Sequence, residues 1–130
     1  MPTDDCNGKL PAHAIEGLHL FNAGKYFEAH EALELAWRAE AGKIRELYQG
    51  ILEAGVVYLH IQRGNYEGAL KVNRRAVKWL NRFPASCRGV DVDRLRRDLQ
   101  TAIAEVERLG PSRIAEFDPS LLKPVLWETQ

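Results

Sequence analysis

Apolar residues recur along this chain at helical spacing almost throughout, and no run alternates convincingly between apolar and polar. The pattern predicts five helices and no sheet. The first runs from about Pro11 to Ala23, with Pro11 suited to an opening position and Ile15, Leu18 and Phe21 turned inward. Gly24 stops it. The second runs from about Tyr26 to Glu40 and ends at Gly42. The third, about Ile44 to Arg63, is apolar nearly all round, which marks a central helix buried on most sides. After Gly64 and Asn65 comes the fourth, about Tyr66 to Phe83, halted by Pro84. A loop over 85–90 leads to the fifth, about Asp91 to Leu109, where Leu95, Leu99, Ala102, Ile103, Val106 and Leu109 make one stripe before Gly110 and Pro111. The tail over 110–130 carries Pro111, Pro119 and Pro124 and is expected to be extended, lying on the bundle through Leu121, Leu122, Val125, Leu126 and Trp127.

An internal repeat runs through this pattern. The segment from Gly24 to Ala29 matches that from Gly64 to Ala69 at an offset of 40 residues, each at a helix-helix corner. Glycine closes one helix, tyrosine packs into the hairpin, and alanine lets the next helix approach closely. A Gly-x-Tyr-x-x-Ala corner resembles tetratricopeptide-type hairpins. Two units are too few for an extended solenoid, so the expected fold is all-α: a compact five-helix bundle over 11–109 with two tetratricopeptide-like hairpins, the whole of 1–130 forming a single domain.

Several polar residues fall on faces that ought to be apolar. At about 100° per residue, His30 and Glu34 share a face of the second helix with Tyr26, Phe27, Leu33 and Trp37, while Glu28 and Glu31 point more outward. On the third helix Gln49, Glu53 and His60 cluster, Glu53 being the one acidic residue of its apolar run. On the fourth, Asn73 sits amid Leu70, Ala76, Val77 and Leu80, and Asn22 lies on the side of Leu18. A buried carboxylate costs several kcal/mol unless it is protonated, paired or metal-bound. These residues are therefore expected to meet one another across the second and third helices, as a structural hydrogen-bond network or as the lining of a binding or catalytic pocket. His30 and Glu34, one turn apart, can chelate a divalent cation, although the two-histidine metalloprotease spacing and the paired Glu-x-x-His of di-iron bundles are both missing. Glu34 and Glu53 are the candidate general bases. If they share an empty site they repel, and Glu53→Gln would leave stability unchanged or raise it.

Composition narrows the classes. The chain has 130 residues, 45% apolar and 28% charged, which is globular composition at single-domain length. Formal net charge is zero, so no global field favours nucleic acid or anionic lipid. A local basic stripe, Lys71, Arg75, Lys78 and Arg82 with Arg74 beside it, is either a solvated face or a seat for an acidic partner. Residues 1–9 do not resemble a signal peptide, and the longest nearly apolar stretch, Gly50 to Ile61, falls short of the roughly 20 residues that span a bilayer. Cys6 and Cys87 lack zinc-type spacing, and one distant pair gives little reason to expect a disulfide framework. Cytoplasmic residence is the default.

The run from Phe21 to Trp37, Phe-Asn-Ala-Gly-Lys-Tyr-Phe-Glu-Ala-His-Glu-Ala-Leu-Glu-Leu-Ala-Trp, resembles the signature of the small prokaryotic proteins called domain of unknown function 309. The later residues Tyr48, Gln49, Gly50 and Ile51, then Tyr58, Leu59, His60 and the Gly64 to Ala69 corner, resemble its second block. The resemblance implies a compact helical bundle. It carries the signature positions to Asn22, His30, Glu31, Glu34, Trp37, Gln49, His60 and Asn65, and implies no particular activity; at Glu53 this chain has an acid where the family tends to have glutamine. Two functions fit: a binding or scaffold module holding a small molecule, protein or peptide, or a metal-dependent or acid/base enzyme of hydrolase type.

Overall fold

The computed structural model describes residues 3–128; the outermost ends of the expected domain, residues 1, 2, 129 and 130, lie outside the described residues. A short α1 (Thr3–Cys6) precedes the five helices read from the sequence: α2 (Ala12–Asn22), α3 (Tyr26–Ala39), α4 (Arg45–Gln62), α5 (Tyr66–Leu80) and α6 (Val92–Leu109). Between α5 and α6 a two-residue hairpin pairs β1 (Ser86–Cys87) with β2 (Val90–Asp91). The fold is all-α.

Helices α2 to α5 pack in succession, each against the next, with α4 between α3 and α5. That position explains its composition: α4 buries eleven of its eighteen residues. At the α2–α3 contact Gly17 lets Leu33 approach so closely that a Cβ would fall 2.6 Å from Leu33 Cγ. The core cluster runs from Leu10 to Val125 and takes in the α6 stripe from Leu95 to Leu109. Although α6 is amphipathic and well buried on that stripe, it leans on α5 only lightly.

The two corners share one backbone. Gly24 and Gly64 both adopt left-handed φ, 78° and 71°, where a side chain is strained. Lys25 N donates to Leu20 O at 2.9 Å and Asn65 N to His60 O at 2.8 Å, the same six-residue closure of the preceding helix. Ala29 N then donates to Lys25 O, and Ala69 N to Asn65 O. Ala29 and Ala69 are both buried.

Beyond the short α1 and the β1–β2 hairpin, where the apolar pattern predicts five helices, no sheet and a plain loop, three further features depart from the sequence reading. Cys6 and Cys87 form a disulfide joining α1 to β1. It closes a separation of 81 residues, a constraint on the unfolded chain of about 4–5 kcal/mol in the chain-entropy picture. Arg88 reinforces the joint: its side chain donates to Asp5 O, Lys9 O and the Tyr48 hydroxyl. The tail is not simply extended, since residues 114–116 and 119–121 form 3-10 turns and Val90 bridges to Trp127. Finally, Phe27 is 53% exposed instead of sharing the inward face with Tyr26. The wheel puts Phe27 100° from Tyr26, and the neighbouring helices α2 and α4 cover the Tyr26 side.

Candidate functional site

Two places hold the polar residues of interest, the α4–α5 seam and the outer side of α3. Glu53 is the one buried charged residue among those described. It projects from α4 toward α5, where Arg75 and Trp79 lie one turn apart. Arg75 Nε donates to Glu53 Oε1 at 2.7 Å, Trp79 Nε1 to Oε2 at 2.9 Å, and Gln49 Nε2, one turn back on α4, to Oε2 at 3.2 Å. Arg82 caps the same seam by donating to Glu46 at 2.9 Å while its guanidinium lies 4.8 Å from the Trp79 ring centroid. Both oxygens of Glu53 are thus committed to donors, and a buried carboxylate is retained because it is fully paired.

Glu34 has a different life. It lies half-buried on α3, paired with Arg38 and 4.0 Å from His30 Nδ1, all three on one helix. Glu53 was expected to face Glu34 across the second and third helices; its hydrogen bonds run instead to α5. The physical reason is that α4 is covered on two sides, and Glu53 belongs to the side that α5 covers. The repulsion expected between the two glutamates is replaced by attraction to Arg75. Glu31 is exposed. Trp37 is half-buried beneath Arg45, whose guanidinium carbon is 3.8 Å from the ring centroid.

His60 and Asn22 are drawn elsewhere again. His60 Nδ1 pairs with Asn65 Nδ2 at 3.2 Å, and Asn65 Oδ1 accepts from Gly68 N, so the pair caps the start of α5. Since the amide nitrogen can only donate, His60 Nδ1 is the acceptor and its ring proton sits on Nε2. Burial, then the positive charges of Arg63 and Arg75, hold the His60 pKa below its ordinary value. Asn22 clasps the tail, donating to Val125 O at 2.9 Å and accepting from Val125 N at 2.8 Å. Among the described residues no three His, Cys, Asp or Glu side chains are grouped to hold a metal ion, which leaves the His30–Glu34 pair as two ligands short of a site.

A groove of about 580 Å³ opens where α6 parts from α5. Val77, Leu80, Leu99 and Ile103 give it an apolar floor, and Asn73, Asn81, Arg97 and Gln100 a polar edge. Val77 is 38% exposed, and the Asn73 Oδ1 atom is buried without a hydrogen-bond partner. Arg45 Nε and the Tyr58 hydroxyl are also buried without a partner, but of the three only Asn73 lines this groove, where a donor from outside can reach it. The sequence signalled this position, since Asn73 interrupts an apolar face. It gave no sign that Arg75 and Trp79 would serve Glu53, because those residues read as solvated stripe and as core.

Residues 14–72 match the family described as "Domain of unknown function (DUF309)", the family that the sequence resembles. The match spans α2, α3 and α4 and the first half of α5, hence both corners and Glu53, and stops short of the groove. An uncharacterized protein of Aquifex aeolicus (strain VF5) is 24% identical over 100 residues, which is 76% of this chain and 30% of that protein. The chain therefore spans less than a third of the length of that relative. No helix among the described residues is long and apolar enough to cross a membrane.

Proposed function

We propose that this chain is a non-catalytic helical binding module, a single domain whose working face is the α5–α6 groove. The observation that carries the reading is the buried, unpartnered Asn73 Oδ1 beside an apolar floor that includes the exposed Val77. Comparison of the hairpins supports it. Forty residues earlier, the counterpart of Val77 is Trp37, which α4 covers through Arg45; α6 leaves the equivalent flank of α5 open. The residues proposed from the sequence then take supporting roles. Gln49, Glu53, His60 and Asn65 brace α4 against α5, Asn22 ties down the tail, and His30, Glu31, Glu34 and Trp37 belong to the α3 surface.

A catalytic reading finds less support. Glu53 as general base would have to release two hydrogen-bonded cation or indole donors, and Glu34 is satisfied by Arg38 on an open helix face. Cytoplasmic residence is tempered by the Cys6–Cys87 bond, because cytosolic thiols are generally kept reduced. Non-reducing gel analysis of alkylated protein from intact cells decides that point.

The groove reading is tested with anilinonaphthalene sulfonate, a probe with an aromatic body for the floor and an anion for Arg96 and Arg97 at the edge. In amide NMR spectra of the folded protein, its titration should shift Asn73, Val77, Gln100 and Ile103 first, and Val77→Glu should abolish those shifts. Shifts confined to α3 or the α4–α5 seam would overturn the reading.

A further inference from the structure

We infer that the occupant of the α5–α6 groove is the outer face of α3 from a second copy of this chain, an inference that rests on the groove reading above. Two surfaces on the molecule complement each other. The outer face of α3 presents Phe27 at 53% and Leu35 at 47% exposure, the two most exposed large apolar side chains among those described. Around them lie the exposed carboxylates Glu28 and Glu31. The groove offers an apolar floor with Val77 exposed, and along α6 it is lined by Asp93, Arg96 and Arg97 toward one end and by Glu107 toward the other. Arg74 and Lys78 flank Val77 on the helix wheel at 60° and 100°.

Charge also sets the direction. Along α3, the acid Glu28 and the base Arg38 are ten residues apart, about 15 Å of helix. Along α6, the base Arg97 and the acid Glu107 line the groove at the same ten-residue spacing, about 15 Å. A second α3 laid parallel to α6 places Glu28 at Arg97 and Arg38 at Glu107, with Phe27 and Leu35 against the floor. The antiparallel placement opposes like charges at both ends. The existing partners do not bar this exchange. Arg97 pairs with Asp93, and Arg38 with Glu34, as largely exposed i,i+4 pairs within their own helices, and such pairs are weak. A head-to-tail contact leaves each assembly with one free face and one free groove and so grows, whereas a reciprocal exchange between two copies closes at a dimer; growth that stops there refutes the head-to-tail contact.

Because Leu35 and Val77 are exposed, substituting them leaves the core untouched. In sedimentation velocity the native chain should grow beyond a dimer as concentration rises. Leu35→Glu alone and Val77→Glu alone should each weaken association at least tenfold. Mixed together, they should form a one-to-one dimer that grows no further, since the Leu35→Glu chain retains its groove and the Val77→Glu chain retains its α3 face. A native chain that stays monomeric up to about 1 mM overturns the inference. If the sulfonate probe still maps to the groove in that protein, only the occupant is refuted; if the probe maps elsewhere, the groove falls as well. Association that survives in either single variant, or a mixture that fails to pair, also refutes the head-to-tail contact.

Discussion

The hairpins α2–α3 and α4–α5 turn the same corner and then part company in chemistry. At an offset of 40 residues, Tyr26 and Tyr66 open the second helix of each, and the backbone hydrogen bonds around them coincide. Tyr26 is buried at 5% exposure, with its ring 5.2 Å from Phe21 and 5.6 Å from Tyr58, whereas Tyr66 is only half-buried. The first corner is held by aromatic packing and has no side-chain cap at Lys25; the second is held by the Asn65 cap and its bond to His60. Farther along, His13, Leu35 and Ala39 in the first hairpin stand where Glu53, Arg75 and Trp79 bolt the second together. A repeated backbone therefore does not carry a repeated seam. Polar positions divide the labour, one hairpin being closed by apolar contact with an apolar outer face, the other by charge with an open flank.

The sharpest way to break this comparison is to remove the tyrosines. Tyr26→Ala should cost about 3–5 kcal/mol, as truncation of large buried aromatics does, and Tyr66→Ala about 1–2 kcal/mol for its half-buried ring. Urea denaturation followed by circular dichroism measures both; equal losses would mean that the corners are held in the same way.

Next in size is Glu53→Gln. Glu53 offers two acceptor oxygens to Arg75, Trp79 and Gln49, whereas glutamine offers one oxygen and two further protons. Whichever way the amide turns, at least one donor in the seam loses its acceptor. The expected loss is about 1–3 kcal/mol, toward the lower end because Arg75 is 53% exposed and screened by solvent. Thermal melts in chelator should show it, and an unchanged or raised melting temperature would restore the repulsion between Glu34 and Glu53 expected from the sequence.

Helix period made α2 to α6 legible, because stripes such as Leu95 to Leu109 repeat over four turns and the corner glycines punctuate them. Glu53 was legible too, as an acid in an apolar run. Its partners were not, since period fixes a direction around α4 but not which neighbour lies in that direction, and α4 is apolar toward both α3 and α5. Phe27 fell to the same limit: a wheel groups it with Tyr26, and only the positions of α2 and α4 decide which of the two is covered. The Asn22–Val125 clasp and the Cys6–Cys87 bond join residues more than 80 apart through a tail and a terminus that have no period to read.

If the corners share one backbone, their glycines should cost the same to replace. Gly24→Ala and Gly64→Ala each force a side chain into left-handed φ, a penalty of about 1–2 kcal/mol. A Cβ at Gly24 meets nothing within 4 Å, and at Gly64 only the Ile114 methyl at 3.9 Å, so contact adds no difference. Losses in urea that differ by more than about 0.5 kcal/mol, the usual tolerance for independent sites, would separate the corners after all.

The smallest effect expected is a pH dependence confined to the second corner. The position equivalent to His60 in the first hairpin is Leu20, which cannot titrate. In the folded chain burial lowers the His60 pKa, and Arg63 and Arg75 lower it further. The unfolded chain, with His60 near its ordinary value of about 6.5, therefore binds protons more readily through the window just below that value. Stability contributed by neutral His60 is complete above the unfolded pKa and declines as pH falls toward the lower, folded one. Protonation also makes Nδ1 a donor, so it can no longer accept from Asn65 Nδ2, and the α5 cap loosens. Other groups titrate on folding as well, so the readout is a difference. Native protein and His60→Gln are compared by urea denaturation at about pH 5 and about pH 8, on either side of the histidine range. The native chain should lose more stability on acidification than the variant, and the same comparison with Leu20→Gln should show no such gap. A variant that falls as far as the native chain would remove His60 from the cap and leave the second corner resting on Asn65 alone.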